Sequence, residues 1–260
     1  MTSSAEPAER ISLSPLLHSG SWWPAYRDAL RQLNDASDDA GAIRALEQAV
    51  RAFGASGAVF SHLVRHDASF SVVWTLVACD APWTNAYASD AWFDDDVWLQ
   101  HAAQHATTVL ASDIAPAPAR QATIVRTLAA QGFASAIVAP APSNVGRSRI
   151  GVLCVGSAQA GYFDGDALAL LRPVVRGLAM ELSDWWLRQI RASLMARAHV
   201  TAADLDLLRH EAHGHGSKMI GRILHADAAA IDSRFQRLSR RLGVACRRDA
   251  MRLGRLYGLI

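Results

Sequence analysis

The hydrophobic positions of this chain change period several times, and each change marks a change of element. Between Trp23 and Phe53, apolar residues return at helical spacing (Ala29/Leu30, Leu33, Ile43, Leu46, Val50). A polar break at 34–39 divides this stretch into two predicted helices. Gly57–Val64 and Phe70–Cys79 are β-rich runs joined by a polar turn at 65–69, a connection short enough to predict an antiparallel pair. An aromatic, acidic segment follows over 82–99, then a short strand candidate at Thr107–Leu110. Gln121–Gln131 has helical character and meets a stop signal at Gly132. Ala134–Val138 and Arg149–Val155 are strand-like again, linked by the turn-rich stretch 140–147. Asp164–Ile190 carries Leu168, Leu171, Val175, Leu178, Leu182 and Trp185 along one side, with Pro173 expected to kink it. This order predicts an antiparallel sheet with helices on both faces, an α/β/α sandwich resembling small-molecule sensor domains.

From Arg191 onward the pattern is purely helical. Four helices are expected: Asp204–His213, Ser217–Leu224, Ala228–Leu242 and Arg248–Tyr257. Asp227 is the expected N-cap of the third and Gly243 its stop. Two short helices joined by a tight link have the shape of a helix-turn-helix. The fold class is therefore α+β, with a sheet-bearing domain over 1–188, a linker over 189–197 and an all-α four-helix domain over 198–260.

Composition changes this picture in one respect. The 260 residues carry 26 basic and 24 acidic side chains, a formal charge of +2 that argues against a nucleic-acid partner. The sum conceals a split. Residues 1–195 hold 14 arginines against 18 acids, a net of −4, and residues 196–260 hold 12 basic side chains against 6 acids, a net of +6. A basic terminal module on an acidic body is the asymmetry of a nucleic-acid-binding domain. With 51% hydrophobic and 19% charged residues the chain is not disordered. Cys79, Cys154 and Cys246 are too few and too scattered for a disulfide scaffold and fit a reduced, cytoplasmic protein. No apolar run is long enough for a membrane span, and the start MTSSAEPAERIS has no basic segment leading into an apolar one, so no signal peptide is expected. His210, Glu211, His213 and His215 superficially suggest a zinc motif, but the first two histidines lie three apart where metalloprotease helices need four. No metal, cofactor or catalytic pair is expected, and the chain is not expected to be an enzyme.

The C-terminal sixty residues resemble the LuxR-type helix-turn-helix. The match runs through Thr201, Asp204, Leu208, Ala212, Gly214, Ile220, Ile223 and Leu224, then Ile231, Leu242-Gly243-Val244, Arg247, Ala250 and Gly258-Leu259-Ile260. Upstream, Trp83, Tyr87 and Asp96 at their spacing, and Gln131-Gly132-Phe133 through Pro140, look like the autoinducer-binding domain of the quorum-sensing branch. The resemblance implies a bacterial regulator that binds an acyl-homoserine lactone, dimerises with itself and occupies a palindromic promoter element in double-stranded DNA. RNA polymerase or another LuxR-type regulator is a further expected partner.

The implied ligand has two carbonyls, one amide N–H and an apolar tail. A buried site must answer each polar group or leave it unpaired at a cost of about 1–3 kcal/mol. Trp83 is donor-only, Tyr87 can donate and Asp96 accepts. By resemblance Trp83 holds the lactone carbonyl, Tyr87 the acyl carbonyl and Asp96 the amide N–H. Trp92, Trp98, Ala136, Val138 and Cys154 complete the expected lining. The plain alternative makes Trp83 and Tyr87 core aromatics and 94–96 a helix-capping acidic run. The sequence also departs from the family. Val97 replaces a proline, Trp98 a small residue, Ala111 a second tryptophan and Ala136 a glycine. A divergent regulator, acting without ligand or as a heterodimerising antagonist, is the alternative these departures support.

In the reading helix Ile231, Phe235, Leu238 and Leu242 form the expected buried side. Asp232, Ser233, Arg234, Gln236 and Arg237 remain outward, with Arg234 and Gln236 suited to guanine and adenine edges. Lys218, Arg237, Arg241 and Arg247 suit phosphates. Asp232 is out of character there, since a carboxylate repels phosphate unless it accepts from cytosine or pairs with an arginine.

Overall fold

The computed structural model describes residue 16 and residues 19–66, 71–79, 95–117 and 119–260. The two N-terminal helices form as the periodicity predicts, α1 over Trp23–Asp35 and α2 over Asp39–Ala52. Pro24 sits in the first turn of α1, where its missing N–H costs nothing. Asp38 caps α2 through the Gly41 N–H at 2.8 Å. The Tyr26 hydroxyl donates to the Val174 carbonyl at 3.0 Å and so pins α1 to the long helix described below.

Five strands make one antiparallel sheet: β1 (Gly57–Arg65), β2 (Ser71–Ala78), β3 (Val109–Leu110), β4 (Ser135–Pro142) and β5 (Arg149–Ser157). They lie in the order β2-β1-β5-β4-β3. In the β3–β4 pair Val109 faces Val138 and Leu110 faces Ile137. β1, β4 and β5 are buried along nearly their whole length, which is why they appear as continuous apolar runs and not as alternating ones.

Among the described residues two α-helices lie between β2 and β4. α3 (Val97–Gln104) occupies part of what the sequence presents as an aromatic, acidic segment. At eight residues it is too short for its period to stand out, and its signal is the cap: Asp96 Oδ1 accepts from the N–H groups of Trp98 (2.8 Å) and Leu99 (3.2 Å). α4 (Ala119–Leu128) stops three residues before its expected end and opens into a wide turn over Ala129–Phe133.

α5 is a single helix over Asp166–Arg197 that contains Pro173 and runs on through the expected linker, 189–197. Leu171, Val175, Leu178, Leu182 and Trp185 are buried along one face. Trp186 is buried too.

The C-terminal helices are α6 (Ala202–Ala212), α7 (Ser217–Leu224), α8 (Ala228–Leu242) and α9 (Arg247–Leu256). Thr201 and Asp204 form a reciprocal capping box at the start of α6. Asp227 caps α8 through the Ala230 N–H at 2.6 Å, and Gly243 ends it in the left-handed region, both as expected. Two apolar clusters hold the four together, one around Leu208, Leu238, Leu242 and Leu259, the other around Leu207, Ile220, Ile231 and Phe235.

The chain divides into two compact units. One comprises 1–61, 75–141 and 151–181. The other comprises 62–74, 142–150 and 182–260. Among the described residues no helix is long and apolar enough to cross a membrane.

Candidate functional site

In the first unit the strands supply one wall of a cavity and the helices another. Val59 and Ser61 alternate along β1, and Val152 and Cys154 along β5, so each pair shares a strand face. Asp96 and Trp98 from the start of α3, Leu128 from the end of α4, and Phe133 close the cavity. It measures about 20 Å³, space for roughly one water. Burial pushes the Cys154 thiol well above its ordinary pKa, and the Asp96 carboxylate adds to the effect, so the thiol stays protonated at neutral pH. Phe133 holds its place because Gly156 leaves room for it: a Cβ at Gly156 would lie 2.3 Å from the ring.

A second, larger cavity of about 300 Å³ shares Trp98 and Phe133 with the first. Its other lining comes from Ala111 and Ser112 after β3, from Val125 and Ala129, from Ala134–Ala136 at the start of β4, and from Gly161 and Asp164.

In the second unit the charged side chains of the helical module form an internal network. Arg247 donates to Glu211 Oε2 from Nε (2.6 Å), to Ser217 Oγ (2.9 Å) and to the His215 carbonyl (3.1 Å). Its guanidinium also lies 4.7 Å above the Phe235 ring. Asp232 accepts from Ser217 Oγ and stands 3.8 Å from Arg247, which is the arginine partner that such a carboxylate requires. Arg241 donates to Asp204 (2.7 Å) and to the His199 carbonyl (2.6 Å). Burial opposes the charge on Asp204, yet hydrogen bonds from Thr201 and Arg241 hold its carboxyl below the usual range. Outside this network Lys218, Ser233, Arg234, Gln236 and Arg237 are exposed, and Arg234, Arg237, Arg240 and Arg241 line an open groove.

The sheet turns of the same unit meet the end of α9. Arg149, itself buried, donates to the Leu256 carbonyl (2.6 Å), the Arg255 carbonyl (3.3 Å) and Asn144 Oδ1 (3.1 Å). A cation on the free carbonyls of a helix C-terminus is a favourable cap. His66 Nε2 and the Tyr257 hydroxyl are 2.7 Å apart.

The model of the autoinducer binding domain matches residues 38–183, more than half of the chain. The chain belongs to the autoinducer-binding family. No match is found among curated proteins. Among solved structures it is similar to SdiA of Escherichia coli, at 14% identity and a TM-score of 0.68, over 92% of this chain and 99% of that one. It is similar also to SdiA in complex with octanoyl-rac-glycerol, at 12% identity and a TM-score of 0.69, over 92% and 96%. The N-acylhomoserine lactone dependent LuxR family transcription factor CepR2 of Burkholderia cenocepacia gives 15% identity and a TM-score of 0.55 over 65% of this chain and 98% of that one. At these identities the likeness is one of fold. Family and fold are those of an autoinducer-binding protein.

Within the autoinducer-binding domain the expected ligand residues fare unequally. Trp83, Tyr87 and Trp92 lie outside the described residues. Asp96, Trp98 and Cys154 come together at the small cavity, and Ala136 lines the large one. Val138 is buried in β4 against Val109. Sequence reasoning missed Val59, Ser61, Leu128 and Val152. Strand alternation from Cys154 would have found Val152. Phe133 stood in the family signature without being assigned to the site.

Proposed function

We propose that this autoinducer-binding protein is a ligand-responsive transcription factor that binds promoter DNA as a homodimer. The observation that carries the reading is one chain holding both the receptor domain and a capped helix-turn-helix, α7–α8, whose outward side chains are the chemically apt ones. Ser233, Arg234, Gln236 and Arg237 on α8 read base edges and adjacent phosphates, and Lys218 contacts the backbone. Arg241 and Arg247 have their guanidiniums engaged within the module, so we assign them first to bracing α8 and only at their margins to phosphate. Asp232 belongs to the same brace, which removes the main reason to suspect an antagonist that has lost DNA binding.

The ligand is an acyl-homoserine lactone or a related neutral acyl compound, and the octanoyl-rac-glycerol held by SdiA is one such alternative. Ligand burial stabilises the folded domain by mass action. Dimerisation through the exposed face of α5 sets two α8 helices about one DNA turn, 34–36 Å, apart on a palindrome. RNA polymerase or another LuxR-type regulator is the partner of the bound dimer, and the cytoplasm is its place of action. A gel shift at two salt concentrations tests the DNA half. Arg234→Ala is expected to cost about 1–3 kcal/mol at one base position while leaving the salt slope nearly unchanged. Uniform binding to random DNA by the wild-type chain would refute sequence-specific reading.

A further inference from the structure

Arg149 opens β5 with a cation that is only 5% exposed. Burial works against its charge, and the Asp184 carboxylate on α5 works for it. The acceptors that meet its guanidinium are all neutral: the Leu256 carbonyl at 2.6 Å, the Arg255 carbonyl at 3.3 Å and Asn144 Oδ1 at 3.1 Å. A buried guanidinium whose donors go unanswered is strongly disfavoured. Two of these acceptors belong to the last turn of α9, 106 and 107 residues along the chain. Arg149 therefore keeps its place only while α9 keeps its own.

The next residues tighten the same grip. Tyr257 brings its hydroxyl within 2.7 Å of His66 Nε2, just past β1, and its ring within 6.5 Å of Trp186. Gly258 admits Leu187 of α5: a Cβ there would lie 3.0 Å from the Leu187 side chain, and φ is +65°, which favours glycine. α9 is in turn a fixed part of the helical module. Ala250, Leu253 and Leu259 pack with Leu208 of α6 and with Leu238 and Leu242 of α8. The tail of α5 holds that core from elsewhere, through Leu194, Met195, Ala198 and Val200, and Arg241 of α8 donates to the His199 carbonyl at 2.6 Å. A single attachment leaves a module free to pivot, as at a hinge. A second one removes that freedom.

We propose that Arg149, with Tyr257 beside it, is a positioning residue for DNA reading: by clasping the end of α9 it fixes how α8 is presented, and so sets the half-site spacing that the homodimer accepts. The inference rests on the homodimer reading and adds what sets its geometry. Arg149 acts through α9 and not by touching DNA. Ser233, Arg234, Gln236 and Arg237 supply the contacts, and the clasp decides where along the duplex the two sets of contacts fall. The clasp is also separable without an apolar core being torn open. Its guanidinium, carbonyls and hydroxyl all find water when parted.

The test gives the full chain a pool of random-sequence duplexes, alone and with N-octanoyl-homoserine lactone or monooctanoylglycerol, and reads the half-sites recovered. Hydrogen exchange runs beside it. Wild type is expected to recover two half-sites at one spacing. Arg149→Gln is expected to lose that single spacing and recover several. Exchange at the end of α9 is expected to quicken about tenfold in this variant while α8 stays protected. Its affinity for unselected duplex is expected to stay within about twofold of wild type, since Lys218, Arg234 and Arg237 are untouched. Arg149→Lys keeps a cation on the carbonyls and is expected to restore the single spacing. Tyr257→Phe, which removes one hydroxyl, takes the place of Arg149→Gln should that variant fail to fold. The wild-type spacing retained in the variant would overturn the proposal and leave the DNA reading standing, even if exchange quickened. A wild-type chain that recovers no sequence under any of the three conditions would overturn both.

Discussion

The helix-turn-helix module and the ligand-binding region differ in how far their polar side chains are answered by the protein itself. In the module, Arg247 is met by Glu211, Ser217, the His215 carbonyl and the Phe235 ring, and Asp232 is met by Ser217 and Arg247. These charges find partners within the same sixty residues, although Ser239 Oγ on α8 is buried without one. In the ligand-binding region Trp98 Nε1 and Thr108 Oγ1 are buried without a partner, and two cavities lie against Trp98. A charge network that satisfies itself suits a unit with function displayed on its surface. Cavities between the sheet and its helices suit a unit that a further molecule completes.

The sharpest way to separate the two regions is to break the turn of the module. A Cβ at Gly221 in α7 would lie 2.4 Å from the Ala226 carbonyl oxygen, which belongs to the backbone and cannot rotate away. The same turn is closed by the Ala226 N–H on the Gly221 carbonyl at 2.9 Å, with His225 at φ +51°. Gly221→Ala is expected to cost about 3 kcal/mol in the module and to abolish DNA binding while ligand affinity stays as in wild type. Calorimetric melting with gel shifts and ligand titration checks this. Parallel loss of ligand affinity would show that the two regions are not separable.

The same contrast explains what the sequence made legible. The module is built from short-range signals: Thr201 with Asp204, Asp227 as cap, Gly243 as stop, and the apolar stripe Ile231-Phe235-Leu238-Leu242. Each lies within a few turns of its partner, so spacing alone found nearly every element and its buried face. The sheet was legible as strands, since β-branched runs between turns are local too. Strand order was not, because β5 lies between β1 and β4 through contacts distant along the chain. The ligand site inherits that difficulty. Asp96 and Cys154 were nameable only through the resemblance, and Ser61, Leu128 and Val152 join them through tertiary packing that no local spacing encodes. α3 was hidden by its brevity, although the Asp96 cap that starts it was visible as an acidic run.

Acid sharpens the comparison with a smaller effect. His62 on β1 is fully buried, stacked on Trp186 at 3.9 Å, with Nε2 3.1 Å from Ser183 Oγ. Burial, with the Arg149 charge in support, pushes its pKa down to about 3. The unfolded chain binds a proton near pH 6.5 and the folded chain does not until far lower. The contribution is therefore fully present above about pH 6.5 and is lost as the pH falls, at about 1.4 kcal/mol per pH unit, or about 2 kcal/mol by pH 5. Denaturant melts from pH 7 to 4.5 are expected to show this slope, and His62→Gln to flatten it. An equal slope in the variant would assign the acid sensitivity to other histidines.

Asp204 gives the smallest effect, and it falls in a different window. Its carboxylate accepts from the Thr201 N–H and hydroxyl, both at 2.9 Å, and from Arg241 at 2.7 Å, and its pKa is lowered. A depressed carboxylate stabilises fully above its unfolded value of about 3.9 and loses that contribution as the pH falls through the lower folded value. Asp204→Asn is expected to cost about 1 kcal/mol at pH 7, because the amide accepts less strongly from the cap and no longer neutralises Arg241. It is expected to cost nothing further once the pH has fallen below the depressed folded value, where wild type has lost the same charge. His62 begins to lose its contribution near pH 6.5, whereas Asp204 retains its own until the carboxylate protonates. A wild-type melt followed on the isolated α6–α9 fragment and on the full chain distinguishes the two: if the fragment also weakens between pH 6.5 and 5, the buried sheet histidine is not the source of the neutral-range loss, and the division of acid response between the two regions fails.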